Sequence, residues 1–202
     1  MRQSATHELF TYWNHLRGER AAPDRAEIDP AAIRGALAET FMLEVDDAHQ
    51  FPLRLSGTRI NALFCAEQKR RPFVELWSQN EARNMAAILL TVGDASCPIL
   101  AGAAAAPTGY GEVELELLFL PLRYRGETNA RILGSLALVS KPPWLGLLPA
   151  DRLMLRSLRT LNENVAPLAW NADLEMRSSA ETKPTGSAFE QRGHFRVYRG
   201  GR

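Results

Sequence analysis

Residues 51–77 read FPLRLSGTRINALFCAEQKRRPFVELW, and this stretch decides the fold. Phe51, Leu53 and Leu55 alternate with Pro52 and Arg54, the period of a half-buried strand. Gly57 ends that strand, and Thr58 fits the N-cap of a short helix. Ile60, Leu63 and Phe64 then share one helical face. Pro72 stops continuation, and Phe73, Leu76 and Trp77 form a second apolar face at the same spacing. A strand feeding two short helices across one face of a sheet encloses a concave pocket.

Upstream, Phe41, Leu43 and Val45 alternate with Met42 and Glu44, a second strand. The polar turn Asp46-Asp47-Ala48-His49 joins the two strands as an antiparallel hairpin. Asp29-Pro30 is a cap with proline at the first helical position, so a short helix should run to about Ala38. A longer helix is expected from His7 to Arg20, preceded by Thr6 and closed by Gly18. Its stripe is Leu9, Phe10, Trp13 and Leu16, with Tyr12 beside it. Such a stripe serves equally to cover the outside of the sheet and to meet a partner chain.

Downstream, Ser78 with Glu81 fits a capping box, and the helix continues through Met85, Ile88, Leu89 and Val92 to Gly93. Cys97 to Ala106 reads as a third strand. The clearest strand runs from Glu112 to Leu122, with Val113, Leu115, Leu117 and Phe119 on one face and Glu112, Glu114 and Glu116 on the other. Leu118 and Leu120 make the far end of the outer face apolar, and the first helix is its natural cover. Ala130 to Val139 is the fifth strand, and Lys141-Pro142-Pro143-Trp144 breaks the sheet. Asp151 to Asn164 is expected to be a last helix, with Leu153, Met154, Leu158 and Leu161 on one side. From Asn171 the chain turns polar and basic, through Arg192, Arg196, Arg199 and Arg202, with Phe195 and Tyr198 between. Disorder is expected there, as a solvated tail or as a docking segment for an acidic partner.

The order predicts an α+β fold, a five-stranded antiparallel sheet with helices on one face and an N-terminal helical cap. The divisions are a cap at 1–40, a core at 41–140, a C-terminal helical segment at 141–170 and the basic tail at 171–202.

These residues resemble the PAS domains, and more narrowly the PAS_5 family of stand-alone alphaproteobacterial proteins. The matching stretches are LFTYWNHLRGERAAPDRAEIDPAAIRGAL at 9–37, LRLSGTRINALFCAE at 53–67, RPFVELW at 71–77, ELLFLPL at 116–122 and WLGLLP at 144–149. Arg71 departs from the resemblance, standing where a glycine is expected before Pro72. The resemblance implies a sensory or docking role in bacterial signalling, with a partner such as a histidine kinase or another regulator. It names no ligand.

Composition bounds the function. A net charge of +1 over 202 residues gives no reason to invoke nucleic acid. No run of ~18 apolar residues is present, so no membrane insertion is expected, and MRQSATHELF lacks the apolar centre of a signal peptide. Cys65 and Cys97 have no metal-ligand spacing, which fits a cytoplasmic protein with reduced thiols. His7 and His15 lie about two turns apart, too far to share one metal. The resemblance places a haem-ligating histidine on the helix 78–93, which has none, and a flavin-bonding cysteine in an Asn-Cys-Arg-Phe-Leu-Gln motif. Cys65 sits in FCAEQ instead and reads as a buried free thiol. No metal and no cofactor are therefore expected.

The candidate pocket wall is Leu55, Ile60, Leu63, Phe64, Phe73, Trp77, Met85, Leu89, Leu117 and Phe119, with Thr58, Arg59 and Asn61 as polar contacts. Interiors pack at ~0.75 density, so an apolar wall is equally a filled core. Arg54 is assigned to a pair with Glu44 across the hairpin, or with the first helix, rather than to a ligand. Arg59 stays open between the two roles. Leu9, Phe10, Tyr12, Trp13 and Leu16 are candidates for a homodimer interface. The reading is a regulatory module and not an enzyme. The alternatives are a small enzyme, which needs an acid or base inside the pocket, or a carrier of a hydrophobic molecule.

Overall fold

The structure, a computed structural model, describes residues 1–124, 127–161, 189–192 and 195–198. The chain divides into two compact units, Met1–Pro167 and Leu168–Arg202. In the second, β7 (Phe189–Arg192) pairs antiparallel with β8 (Phe195–Tyr198). The rest of the tail expected to be disordered lies outside the described residues.

The first unit holds a six-stranded antiparallel sheet of order β2-β1-β5-β4-β3-β6. Its strands are β1 (Thr40–Glu44), β2 (Leu53–Ser56), β3 (Ile99–Ala105), β4 (Val113–Tyr124), β5 (Glu127–Leu138) and β6 (Met154–Thr160). The fold class is as expected, α+β with a helical cap, but with one more strand. The helices are α1 (Ser4–Arg17), α2 (Thr58–Leu63) and α3 (Gln79–Asp94), and 3₁₀ turns form at Pro30–Ile33 and Phe73–Leu76.

The sixth strand replaces the expected last helix at 151–164. Met154 to Thr160 pairs with Ile99 to Ala104 along the free edge of β3. The register shifts between Gly102 and Ala103, so Arg156 is an extra residue in β6. That bulge breaks the alternation and leaves Leu153, Met154, Leu158 and Leu161 at a spacing that imitates a helix. A Cβ on Gly102 would meet Ser157 Oγ at 2.6 Å, so the glycine gives that side chain its room. From Lys141 to Leu153 the chain forms a strap over the short helices. Gly146 N–H donates to Ala62 O at 3.1 Å, Ala150 N–H to Leu63 O at 2.8 Å and Leu153 N–H to Leu76 O at 2.7 Å.

Two caps form differently from the sequence reading. Gly57, not Thr58, is the N-cap of α2, and Thr58 is exposed in its first turn. A Cβ on Gly57 would collide with the carbonyls of Leu37 and Ala38, so this close approach requires glycine. At α3, Ser78 makes no side-chain cap bond. Glu81 instead accepts Leu155 N–H at 2.8 Å, tying α3 to β6. Asp29 does cap its turn, accepting Ala31 N–H at 2.9 Å.

The sheet is covered on both faces. On the outer face α1 buries Leu9 and Trp13 with Met42, Leu118, Leu120, Leu122 and Leu133. Trp13 Nε1–H donates to Pro121 O at 2.9 Å inside this layer. The Glu116 carboxylate accepts Arg2 N–H at 2.7 Å and Gln3 N–H at 3.0 Å, placing negative charge at the start of α1. On the inner face α3 lays Met85, Ile88, Leu89 and Val92, all buried, with the helix packed on β4 and β5.

Candidate functional site

The inner face between the sheet and the short helices is where the sequence puts a pocket. Alternation along β4 sends Leu117 and Phe119 inward and Leu118 and Leu120 to α1. Gly134 of β5 lies beside Phe41 of β1 and Phe119 of β4, leaving space for their rings. Phe41 stacks on Phe73 at 5.2 Å between centroids and meets Phe119 at 5.8 Å. Phe73 meets Phe119 edge-on at 5.9 Å and Trp77 at 6.2 Å. These separations are those of aromatic pairs in contact. The cluster occupies the middle of the expected pocket.

Ile60, Leu63, Phe73, Trp77, Met85, Leu89, Leu117 and Phe119 are all at most 2% exposed, so eight of the candidates come together as one core. The polar exception in that wall is Trp77 Nε1, buried without a hydrogen-bond partner. Phe64 is half-buried and turns away to line a second cavity.

Leu55 does not join the wall. The register of the hairpin shifts between Met42 and Leu43, so Arg54 is the extra residue of a bulge. Leu55 then sits opposite Met42, which belongs to the outer layer, and is 38% exposed. A strand with strict alternation would have turned Leu55 inward.

The polar candidates have structural partners. Asn61 Oδ1 accepts from Ser56 Oγ at 2.7 Å and from Gln68 N–H at 3.1 Å, and Asn61 Nδ2 donates to Glu67 at 3.0 Å. Arg59 pairs with the buried Glu39, holding α2 against the segment before β1. Arg54 pairs with Glu44 at 3.4 Å as the sequence suggested, and Arg131 of β5 joins the same carboxylate at 3.1 Å. Cys65 is exposed rather than buried, because α2 ends at Leu63 and Cys65 follows the cap in a left-handed conformation, φ 48°. Cys97 is buried.

The proposed interface residues on α1 are largely used within the chain. Leu9 and Trp13 are core, and Phe10, Tyr12 and Leu16 pack partly buried against the same cluster. Successive residues 12 and 13 point ~100° apart, so Tyr12 turns to a different surface from Trp13. That surface is the chain's own loop. Tyr12 Oη accepts Asp29 N–H at 2.7 Å and donates to Glu27 O at 3.3 Å.

Two further cavities open away from the inner core. One, of about 680 Å³, lies on the outer face over β3, β4 and β6 near Arg2 and Arg156. The other, of about 230 Å³, lies between the loop after α2 and the strap. Sequence reasoning missed both, since each joins segments far apart in the chain.

An antiparallel sheet of order β2-β1-β5-β4-β3-β6, with short helices crossing one face and a helical cap on the other, defines the class as an α+β domain of sheet and flanking helices. The chain belongs to the PAS_5 family, described as a PAS domain, whose family model matches residues 1–137. No curated protein and no solved structure matches the chain. Among the described residues, no helix is long and apolar enough to cross a membrane, and no three His, Cys, Asp or Glu side chains gather as metal ligands.

Proposed function

We propose that this PAS domain is a cytoplasmic regulatory module that signals by contact with other proteins and is not an enzyme. The observation that carries this reading is the packed inner core. Phe41, Phe73, Phe119 and Trp77 fill the space a metabolite would take, and Val113, Leu115, Leu117 and Phe119 offer no acid or base there. A domain with a filled core has its surface left for recognition. Partners of the class the family implies are a histidine kinase or another signalling regulator. A homodimer remains part of the proposal. Its support is narrower than the helix stripe, since what Phe10 and Leu16 leave exposed is the remaining apolar surface of α1.

Cross-linking in native cells followed by mass spectrometry tests the reading. Cross-links to a signalling protein are expected. A stoichiometric apolar metabolite carried through purification, with no such cross-links, would favour the carrier instead. Sedimentation of the wild type and of Phe10→Glu tests the dimer: a charge at position 10 should dissociate it.

A second reading has one observation in its favour. The buried N–H of Trp77 lacks an acceptor, and such a group costs ~1–3 kcal/mol. A small molecule with an oxygen acceptor, entering beside Trp77, would satisfy it and tune the module.

A further inference from the structure

The smaller cavity is walled on one side by Phe64, Gln68, Arg71 and Leu76 and on the other by residues 150–152 of the strap. Residues 150–152 lie beyond the 1–137 stretch that the family model matches. At about 230 Å³ it is below the ~300–1,000 Å³ of sites for drug-sized ligands and suits a small metabolite.

Its polar groups define a chemistry. Gln68 is 1% exposed; its Nε2 donates to Ala66 O at 3.0 Å, while Oε1 is buried without a partner. Buried amide oxygens are rarely left so, and this one calls for a donor. Arg71 and Arg152 are exposed, and among the described residues neither guanidinium has an ion pair. Two such forks suit an oxyanion. Asp151 adds one negative charge, and its Oδ2 accepts from Thr108 Oγ1 at 2.9 Å. A phosphate would satisfy the arginines, and its P–OH would offer Gln68 a donor, but it would meet the Asp151 charge. A cation alone would suit Asp151 but leave the arginines unused.

We propose that this cavity binds a free α-amino acid, with its carboxylate on Arg71 and Arg152 and its ammonium donating to Gln68 Oε1 beside Asp151. The ligand would bridge the strap to the loop after α2. It stands apart from the inner core, so the proposal survives if that core proves hollow.

Isothermal titration of the full chain with glycine, L-alanine and L-glutamate tests it, with acetate, ammonium chloride and inorganic phosphate as partial mimics. At least one amino acid should bind about tenfold tighter than acetate or ammonium, a difference of ~1.4 kcal/mol. The double variant Arg71→Ala, Arg152→Ala should lose about tenfold in that affinity, with an unchanged thermal midpoint, because both side chains are exposed. Gln68→Leu should weaken binding as well; the arginine variant decides if Gln68→Leu fails to fold. Any of three results overturns the proposal: no saturable heat with amino acids at about 10 mM, above the millimolar range of weak binding; phosphate binding tighter than any amino acid; or affinity untouched by the arginine variant. None of these reads partner binding, so the regulatory assignment stands or falls separately.

Discussion

The ring of Phe41 occupies the space that a side chain on Gly134 would need. A Cβ built on Gly134 overlaps Phe41 Cζ and the Leu118 carbonyl, so the sheet and the aromatic cluster fit only with glycine there. Gly134→Ala should therefore destabilise the domain by ~1–3 kcal/mol through overpacking. Chemical denaturation measures this. An unchanged midpoint would mean the core has slack that the ring contacts do not show.

Trp77 is 2% exposed and Trp144 is 5% exposed. Because Trp144 follows Pro142 and Pro143 in a connecting segment, the sequence alone predicts that its loss costs less than that of Trp77. The strap buries it instead. Replacing either by alanine should cost ~3–5 kcal/mol. A loss for Trp77→Ala several-fold larger than for Trp144→Ala would show that the strap is not part of the cooperative unit.

Glu116 lies on the face of β4 that alternation assigns to solvent, yet it is 8% exposed because it closes the start of α1. Glu116→Ala should release the first turn of α1 and lower stability by ~1 kcal/mol, the usual worth of an N-terminal acceptor. Hydrogen exchange should speed up in the first turn of α1 while amides of Leu118 and Leu120 stay protected. Uniform acceleration across the sheet would contradict a local role.

Glu27 gives a pH dependence of definite sign. Its carboxyl is held at about 2, below the usual 4.5, by the Arg20 guanidinium first and by the Asp24 N–H second. A lowered carboxyl stabilises the fold above its unfolded value. The contribution is therefore complete above pH 4.5 and is lost as pH falls toward 2. Protection of the Asp24 and Ala26 amides, relative to their intrinsic exchange rates at each pH, should fall across that window in the wild type, whereas Glu27→Gln should show no such step. A wild-type Glu27 titrating near 4.5 in a carboxyl NMR experiment would contradict the pairing.

What the sequence revealed and what it hid divide along physical lines. The alternation of β4, the apolar face of α3 and the stripe of α1 are local periodicities, and each put its buried residues on the correct side. The Arg54–Glu44 pair was legible because hairpin neighbours are fixed by a short turn. Bulges at Arg54 and Arg156 were not, since each depends on partner strands and shifts the alternation by one. Hence strict alternation points Leu55 inward, and the spacing of Leu153, Met154, Leu158 and Leu161 reads as a helix. Glu81 looks like a cap for Ser78 locally, but a buried strand N–H at Leu155 takes it. The amino-acid cavity joins residues about eighty positions apart, and no local pattern announces it.

The central claim is that the inner face is a filled core, so the domain acts by contact rather than by holding a metabolite there. Methyl NMR of Ile60, Leu63, Leu89 and Leu117 during titration with indole tests it most directly, with Phe119→Ala as the control that opens a cavity of a kind known to take up small aromatics. The account predicts saturable shifts in Phe119→Ala and none in the wild type. Saturable shifts at these methyls in the wild type would contradict it.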